Sequence, residues 1–165
     1  MISCFDPVRR EIAIVTMKSL IADGRIHPGK IEEMFNKAQH NIKQRVREAG
    51  DQAVYDIGCM NVDKGLINML GRLLYRSSYG QNVLNHSIEV SHLAGVMASE
   101  LGLDPTKAKR AGLLHDIGKA VSQEVEGSHA IIGADFAKKS DEREDIVHAI
   151  AAHHAETEAN SVLDV

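Results

Sequence analysis

Six residues of this chain have side chains suited to holding a divalent cation: His86, His115, Asp116, His129, His153 and His154. Neutral imidazole nitrogens and carboxylate oxygens suit ions such as Mn, Fe, Co, Ni or Zn. A tight site draws its ligands from several packed elements, so wide spacing along the chain is expected. His115 and Asp116 are adjacent, and both can bind if a helix ends between them, because the backbone then no longer holds them 100° apart. Asp116 offers two oxygens and can bridge two ions. A metal pair activates a water and neutralises a phosphate, each worth several kcal/mol to phosphodiester hydrolysis. Lys119 follows three residues after Asp116 and can meet a non-bridging phosphate oxygen as a point charge. The plainer reading of Lys119 is a solvated lysine favoured by a helix C-terminus.

A His-Asp pair alone is common by chance. An upstream helical His followed by His-Asp-x-Gly-Lys is far more specific, and a further His at a helix start plus a double His favours two ions over one. The other histidines, His27, His40, His92 and His148, read as surface or satisfied core residues. His92 is six positions from His86, on a different helical face.

The elements that must position these groups read almost entirely as helix. Asp6-Pro7 starts the first and Gly24 closes it; Ile2–Phe5 before it is an isolated short strand. The second starts after His27-Pro28, and Ile31, Phe35, Ala38, Ile42, Val46, Ala49, Ala53 and Ile57 form one apolar stripe along it. A helix this long reads as a connector or a dimer seam, against the alternative of an ordinary core helix. A short helix follows Asp63. After the turn Ser77–Gly80 a longer one runs from about Asn82 to Leu101, with Val83, Val90, Leu93, Ala94, Met97 and Leu101 as its expected buried face. Asp104-Pro105 starts the helix that reaches His115-Asp116. Ser128 caps the next, and Asp141 with Glu144 resembles a capping box for the last.

The chain has 165 residues with 44% hydrophobic and 4% aromatic residues and no Trp, which predicts an aliphatic globular core. The net charge of -4 argues against tight non-specific nucleic-acid binding by the whole surface. Lys107, Lys109, Arg110 and Lys119 still leave a local basic rim or, equally, solvated helix faces. Two cysteines without a CxxC fit a reduced, cytoplasmic chain. No apolar run approaches a membrane span of about 18 residues, so no membrane contact is expected of this chain.

His86, His115-Asp116 and Lys119 resemble the HD superfamily of metal-dependent phosphohydrolases. The longer strings Phe5–Ala13, Ala22–Pro28, Ser78–Leu84, Ala111–Ala120, Glu126–His129 and His153-His154 resemble the ribonuclease Y family over nearly the whole chain. The resemblance implies an all-α HD-domain helical bundle preceded by a long connector helix and a short strand-helix remnant of a KH domain. The implied boundaries are 1–38 for the KH remnant, 39–63 for connector and linker, and 64–165 for the HD domain, cut short at its C-terminus. It implies an endoribonuclease cleaving single-stranded RNA to initiate mRNA decay, with RNA-decay partners, a homodimeric state, and a full-length form anchored to the inner face of the cell membrane. By motif, His86, His115 and Asp116 hold one divalent ion (Mn, Mg, Fe, Ni or Zn), and His129, His153 and His154 match the added ligands of two-metal members. Asp116 and Lys119 carry the catalytic roles. The family's last Asp ligand is expected beyond residue 165, so Asp164 is not assigned to it. No GxxG loop occurs, which leaves the RNA grip of a KH domain unsupported in this piece.

Two other readings stay open on the residues alone. One is an HD phosphohydrolase acting on nucleotides or cyclic dinucleotides, although Ala155–Glu158 stands where cyclic-di-GMP hydrolases carry Gly-Tyr-Pro. The other is a non-catalytic dimerisation or scaffold module built on the long helix.

Overall fold

An acidic cap and a proline start the first helix, as the sequence predicts. The computed structural model describes residues 2–121 and 126–165. Helix α1 spans Pro7–Asp23, and the Asp6 carboxylate accepts from the backbone N–H groups of Val8 and Arg9. Those donors have no partner inside the helix, so the cap fixes where it begins. Helix α2 spans Pro28–Ile57, capped by His27, whose Nδ1 accepts from the Lys30 N–H. Residues 2–5 form no strand. Among the described residues no strand lies beside them to take up their backbone groups, so the expected short strand is not made.

Helix α2 serves two cores. Its first half packs under α1, joining Ala38, Ile42 and Val46 to Val8 and Ile12. Its second half adds Ala53 and Ile57 to a larger cluster with Leu66, Leu70, Leu113, Leu114, Ile117, Ile146 and Ile150. Helix α3, Lys64–Arg72, is capped by Asp63 and crosses α2 at backbone contact. A Cβ on Gly71 would overlap the Val46 carbonyl, and one on Gly50 the Ile67 carbonyl. Ile31 and Phe35, at the start of the stripe read from the sequence, stay 41% and 43% exposed.

The 3₁₀ turn Leu73–Tyr75 leads into a small hairpin, Ser77–Ser78 (β1) pairing antiparallel with Gln81–Asn82 (β2). Helix α4 spans Val83–Glu100 and α5 spans Pro105–Leu114. Here the structure corrects the expected buried face of α4. The buried residues are Val83, Leu84, Ser87, Ser91, Gly95 and Ala98, while Leu93, Met97 and Leu101 stand 63%, 64% and 64% exposed. The reason is close packing. Ser91 donates to the Lys109 carbonyl at 2.7 Å, and a Cβ on Gly112 would sit 2.9 Å from the Ser91 Cα. A seam this tight admits small residues and turns the large apolar ones outward.

Helix α6 spans His129–Lys139 behind its Ser128 cap, and α7 spans Glu144–Ala152. The expected Asp141–Glu144 capping box does not form. Asp141 takes a left-handed φ of 54° as the chain leaves α6, and Arg143 stands at the cap position with no side-chain capping bond. Among the described residues no helix is long and apolar enough to cross a membrane.

Candidate metal centre

The sequence-predicted ligands sit at the ends of four helices, where side chains escape the helical register. His86 lies in the first turn of α4. His115 is the C-terminal cap of α5, with Asp116 just beyond it. The 3₁₀ turn Ile117–Ala120 then carries Lys119. His129 is the first residue of α6, and His153 caps the end of α7, followed by His154. Gly118 sets the spacing between the turn and α6. A Cβ there would overlap the His129 carbonyl, so only glycine lets Asp116 and His129 come together.

Asp116 is the hub and is 1% exposed. Its Oδ2 faces Lys119 Nζ at 2.8 Å, His115 Nε2 at 3.4 Å and His86 Nε2 at 3.9 Å. Its Oδ1 faces His129 Nε2 at 3.2 Å and His153 Nε2 at 3.8 Å. Two donor sets result, His86/His115/Asp116 and His129/His153/His154, the ligand atoms of each lying within 4.8 Å of one another. The carboxylate stands between them with one oxygen turned to each. All seven predicted residues are therefore brought to one place, with His154 at its exposed edge.

The tautomers follow from bonds the sequence reading missed. His115 Nδ1 lies 2.7 Å from the Gly112 carbonyl, and His153 Nδ1 lies 2.7 Å from the Ile150 carbonyl. A carbonyl accepts only, so each Nδ1 carries the proton and each Nε2 presents a lone pair to the centre. Both histidines cap their helices and reach the carbonyl three residues back, one that the helix leaves unpaired. The available signal was positional: a histidine at the last turn of a helix.

The arrangement lacks an electron acceptor. His129 Nε2 and His153 Nε2 approach to 3.3 Å, and the buried Asp116 Oδ1 beside them has no hydrogen-bond partner. An unpartnered buried carboxylate oxygen is costly, and a divalent cation among these lone pairs removes that cost. The donor set of imidazoles and one carboxylate fits such an ion.

Electrostatics keeps the ligands in their binding forms. Burial alone raises the Asp116 pKa, but the neighbouring His115 and the Lys119 ammonium outweigh it and hold the carboxyl below its ordinary range. Burial drives His153 down to about 4, against the opposing Ile150 hydrogen bond, with His115 and His154 adding to the fall. Burial, then Lys119, also lowers His129. Both imidazoles are neutral at pH 7 and free to ligate.

A pH dependence follows. The unfolded chain protonates His153 near its ordinary 6.5, while the folded chain resists until about 4. Stability from this group is complete above pH 6.5 and lost as pH falls toward 4, by roughly 3 kcal/mol at most. His129 acts in the same direction. Urea denaturation of chelator-treated protein at pH 7, 5.5 and 4.5 should show the fall; a flat profile over that window would contradict it.

The remaining histidines match the plainer expectation. His27 caps α2, His40 and His92 are exposed, and His148 Nδ1 lies 3.1 Å from Asp164 Oδ1. Asp164 also accepts from the Asn160 and Ser161 N–H groups, so its carboxylate is occupied away from the centre.

Residues 83–164, which carry every side chain of the centre, match the HD domain family. The chain is 60% identical over 161 residues to ribonuclease Y of Clostridium tetani, covering 98% of this chain and 31% of that protein. It is 58% identical over 157 residues to ribonuclease Y of Thermotoga petrophila, covering 95% and 31%. It is 56% identical over 164 residues to ribonuclease Y of Listeria welshimeri, covering 99% and 32%. Along nearly its whole length the chain is a relative of ribonuclease Y, and it spans about a third of the length of those relatives. No solved structure matches it.

Proposed function

We propose that this chain carries the metal-dependent centre of an endoribonuclease that cleaves single-stranded RNA and initiates mRNA decay. One observation carries this reading: a buried carboxylate with an unpartnered oxygen, set between two groups of histidines. The ribonuclease Y relatives supply the substrate class. In this reading His86, His115 and Asp116 would hold one divalent ion, and His129, His153 and His154 would hold a second on the other side of Asp116. Mn, Mg, Fe, Ni and Zn are the candidates. A bound ion supplies Lewis acidity toward a phosphate oxygen and makes water a better nucleophile at neutral pH.

The chain's own residues supply the rest. His115 and His153, tied to backbone carbonyls, hold their nitrogens in place without reorganisation. Lys119, now paired with Asp116, turns its ammonium to a non-bridging oxygen of the scissile phosphate. RNA is gripped locally, since the net charge is -4. Residues 1–38 are read as the end of a KH domain, 39–63 as connector and 64–165 as HD domain. The full-length protein is read as a homodimer anchored to the inner face of the membrane and working with RNA-decay partners.

Full-length protein supplied with Mn or Mg should cut single-stranded RNA internally and leave a cyclic dinucleotide and a deoxynucleoside triphosphate intact. Hydrolysis of either nucleotide with RNA untouched would overturn the substrate assignment. Lys119→Met should slow RNA cleavage about ten- to hundred-fold at unchanged metal content, read by gel assay alongside plasma mass spectrometry. Unchanged kcat and KM would remove Lys119 from the reaction.

A further inference from the structure

Tyr79 stands at the apex of the β1–β2 hairpin with its side chain wholly in solvent, at a φ of 50°. Both properties work against it. The exposed ring gains nothing from burial, and a left-handed backbone strains a tyrosine. Asn or Gly would suit the turn better, and Gly80 already follows at a φ of 80°. The turn therefore does not account for the ring.

The hairpin is tied to the metal centre. The Asn82 side chain accepts from the Asn85 N–H at 3.1 Å and donates to the Leu74 carbonyl at 2.7 Å, and the Val83 N–H donates to the Arg76 carbonyl at 3.0 Å. These bonds lock the hairpin onto the first turn of α4, which carries His86 about 6 Å along the helix from Asn82. The Leu73–Tyr75 turn at the other foot of the hairpin packs against both α4 and the Ile117–Ala120 turn that bears Lys119.

The stretch that contains the hairpin lacks acidic side chains. From Lys64 to Ile88 the sequence holds Lys64, Arg72 and Arg76 and neither Asp nor Glu, in a chain whose net charge is -4; Arg72 is taken up by Asp6 and the Ala120 carbonyl, which leaves Arg76 as the cation at the hairpin. Gln81 is exposed next to the apex and Asn85 is exposed in the first turn of α4, and among the described residues no carboxylate pairs with Arg76.

We propose that this hairpin is a nucleobase subsite. The Tyr79 ring stacks on a base of single-stranded RNA a few nucleotides from the scissile phosphate, and Arg76 meets an intervening phosphate. The amides of Gln81 and Asn85 reach base edges. The assignment rests on RNA being the substrate.

Tyr79→Asn and Tyr79→Phe separate ring from turn, because Asn accepts the left-handed backbone while removing the ring. Full-length protein with Mn is assayed on an RNA oligonucleotide and on bis(4-nitrophenyl) phosphate, which has no base to stack. Tyr79→Asn should raise the KM for RNA about ten-fold relative to the KM for the baseless diester, with a melting temperature at or above that of the unaltered protein. Tyr79→Phe should restore RNA binding. An RNA KM unmoved by Tyr79→Asn, or a loss shared equally by both substrates, would overturn the subsite. Cleavage of the baseless diester but not of RNA by the unaltered protein would instead overturn the RNA reading, and the subsite with it.

Discussion

Replacing Asp116 with Asn is expected to lower RNA cleavage by about 10³-fold or more and to strip the protein of bound divalent metal. The two side chains have nearly the same shape, and the position is 1% exposed, so packing is preserved. What changes is chemistry. One oxygen becomes an amide that donates where an acceptor is needed, and the charge that balances Lys119 disappears. Both histidine groups lose the ligand atom that stands between them. Losing several kcal/mol of metal assistance corresponds to three or more decades in rate. The metal-free variant should also be less stable than its parent at pH 7. The carboxyl pKa is held below its ordinary 3.8, so its favourable contribution is present above that value and lost only as pH falls below it. Plasma mass spectrometry and a gel cleavage assay read the outcome, with chelator-treated protein melted in parallel. Parental metal stoichiometry together with parental cleavage would remove Asp116 from the centre.

Gly118→Ala is expected to be nearly as severe, by a different route. The added methyl meets the His129 carbonyl and crowds the Gly133 N–H, at 2.8 Å, so the obstruction is backbone and not a flexible side-chain end. Overpacking of this kind costs about 1–3 kcal/mol, occasionally more. The chain relieves it by moving α6 away from the 3₁₀ turn, which withdraws His129 from Asp116 Oδ1. The expected result is a melting temperature several degrees lower and a weakened second metal set, with the His86/His115/Asp116 set less affected. Metal titration by calorimetry would show one binding event weakened before the other. Equal weakening of both sets would mean that the methyl distorts Asp116 itself.

The candidate site was more legible in the sequence than the packing around it. His86, His115, Asp116, His129, His153 and His154 were identifiable because a cation site calls for particular donor atoms, and few residue types supply them. Helix starts were also legible at Asp6, His27, Asp63, Asn82, Asp104 and Ser128, where a side chain or a following proline carries the local signal. The buried face of α4 was not. Hydropathy favours Leu93 and Met97, but Gly95, Ser91 and Gly112 allow a closer approach of α5, and that depends on a neighbour the pattern does not contain. The cap of α7 failed for a related reason: the φ of Asp141 is set by how α6 ends. The carbonyls that orient His115 and His153 leave no trace in residue type, since every residue has one.

Helix α2 gives the chain a mechanical property. It is one unbroken rod of 30 residues, about 45 Å long, fastened near one end to α1 and near the other to the cluster that includes Ile117 and Ala120. A rod of this kind transmits torque and does not absorb it. A load that tilts α1 and the first half of α2 must either pivot α2 at Gly50 and Gly71, where the backbones of α2 and α3 touch without side-chain cushioning, or loosen both clusters at once. Hydrogen-exchange protection along α2 should accordingly collapse as a single unit.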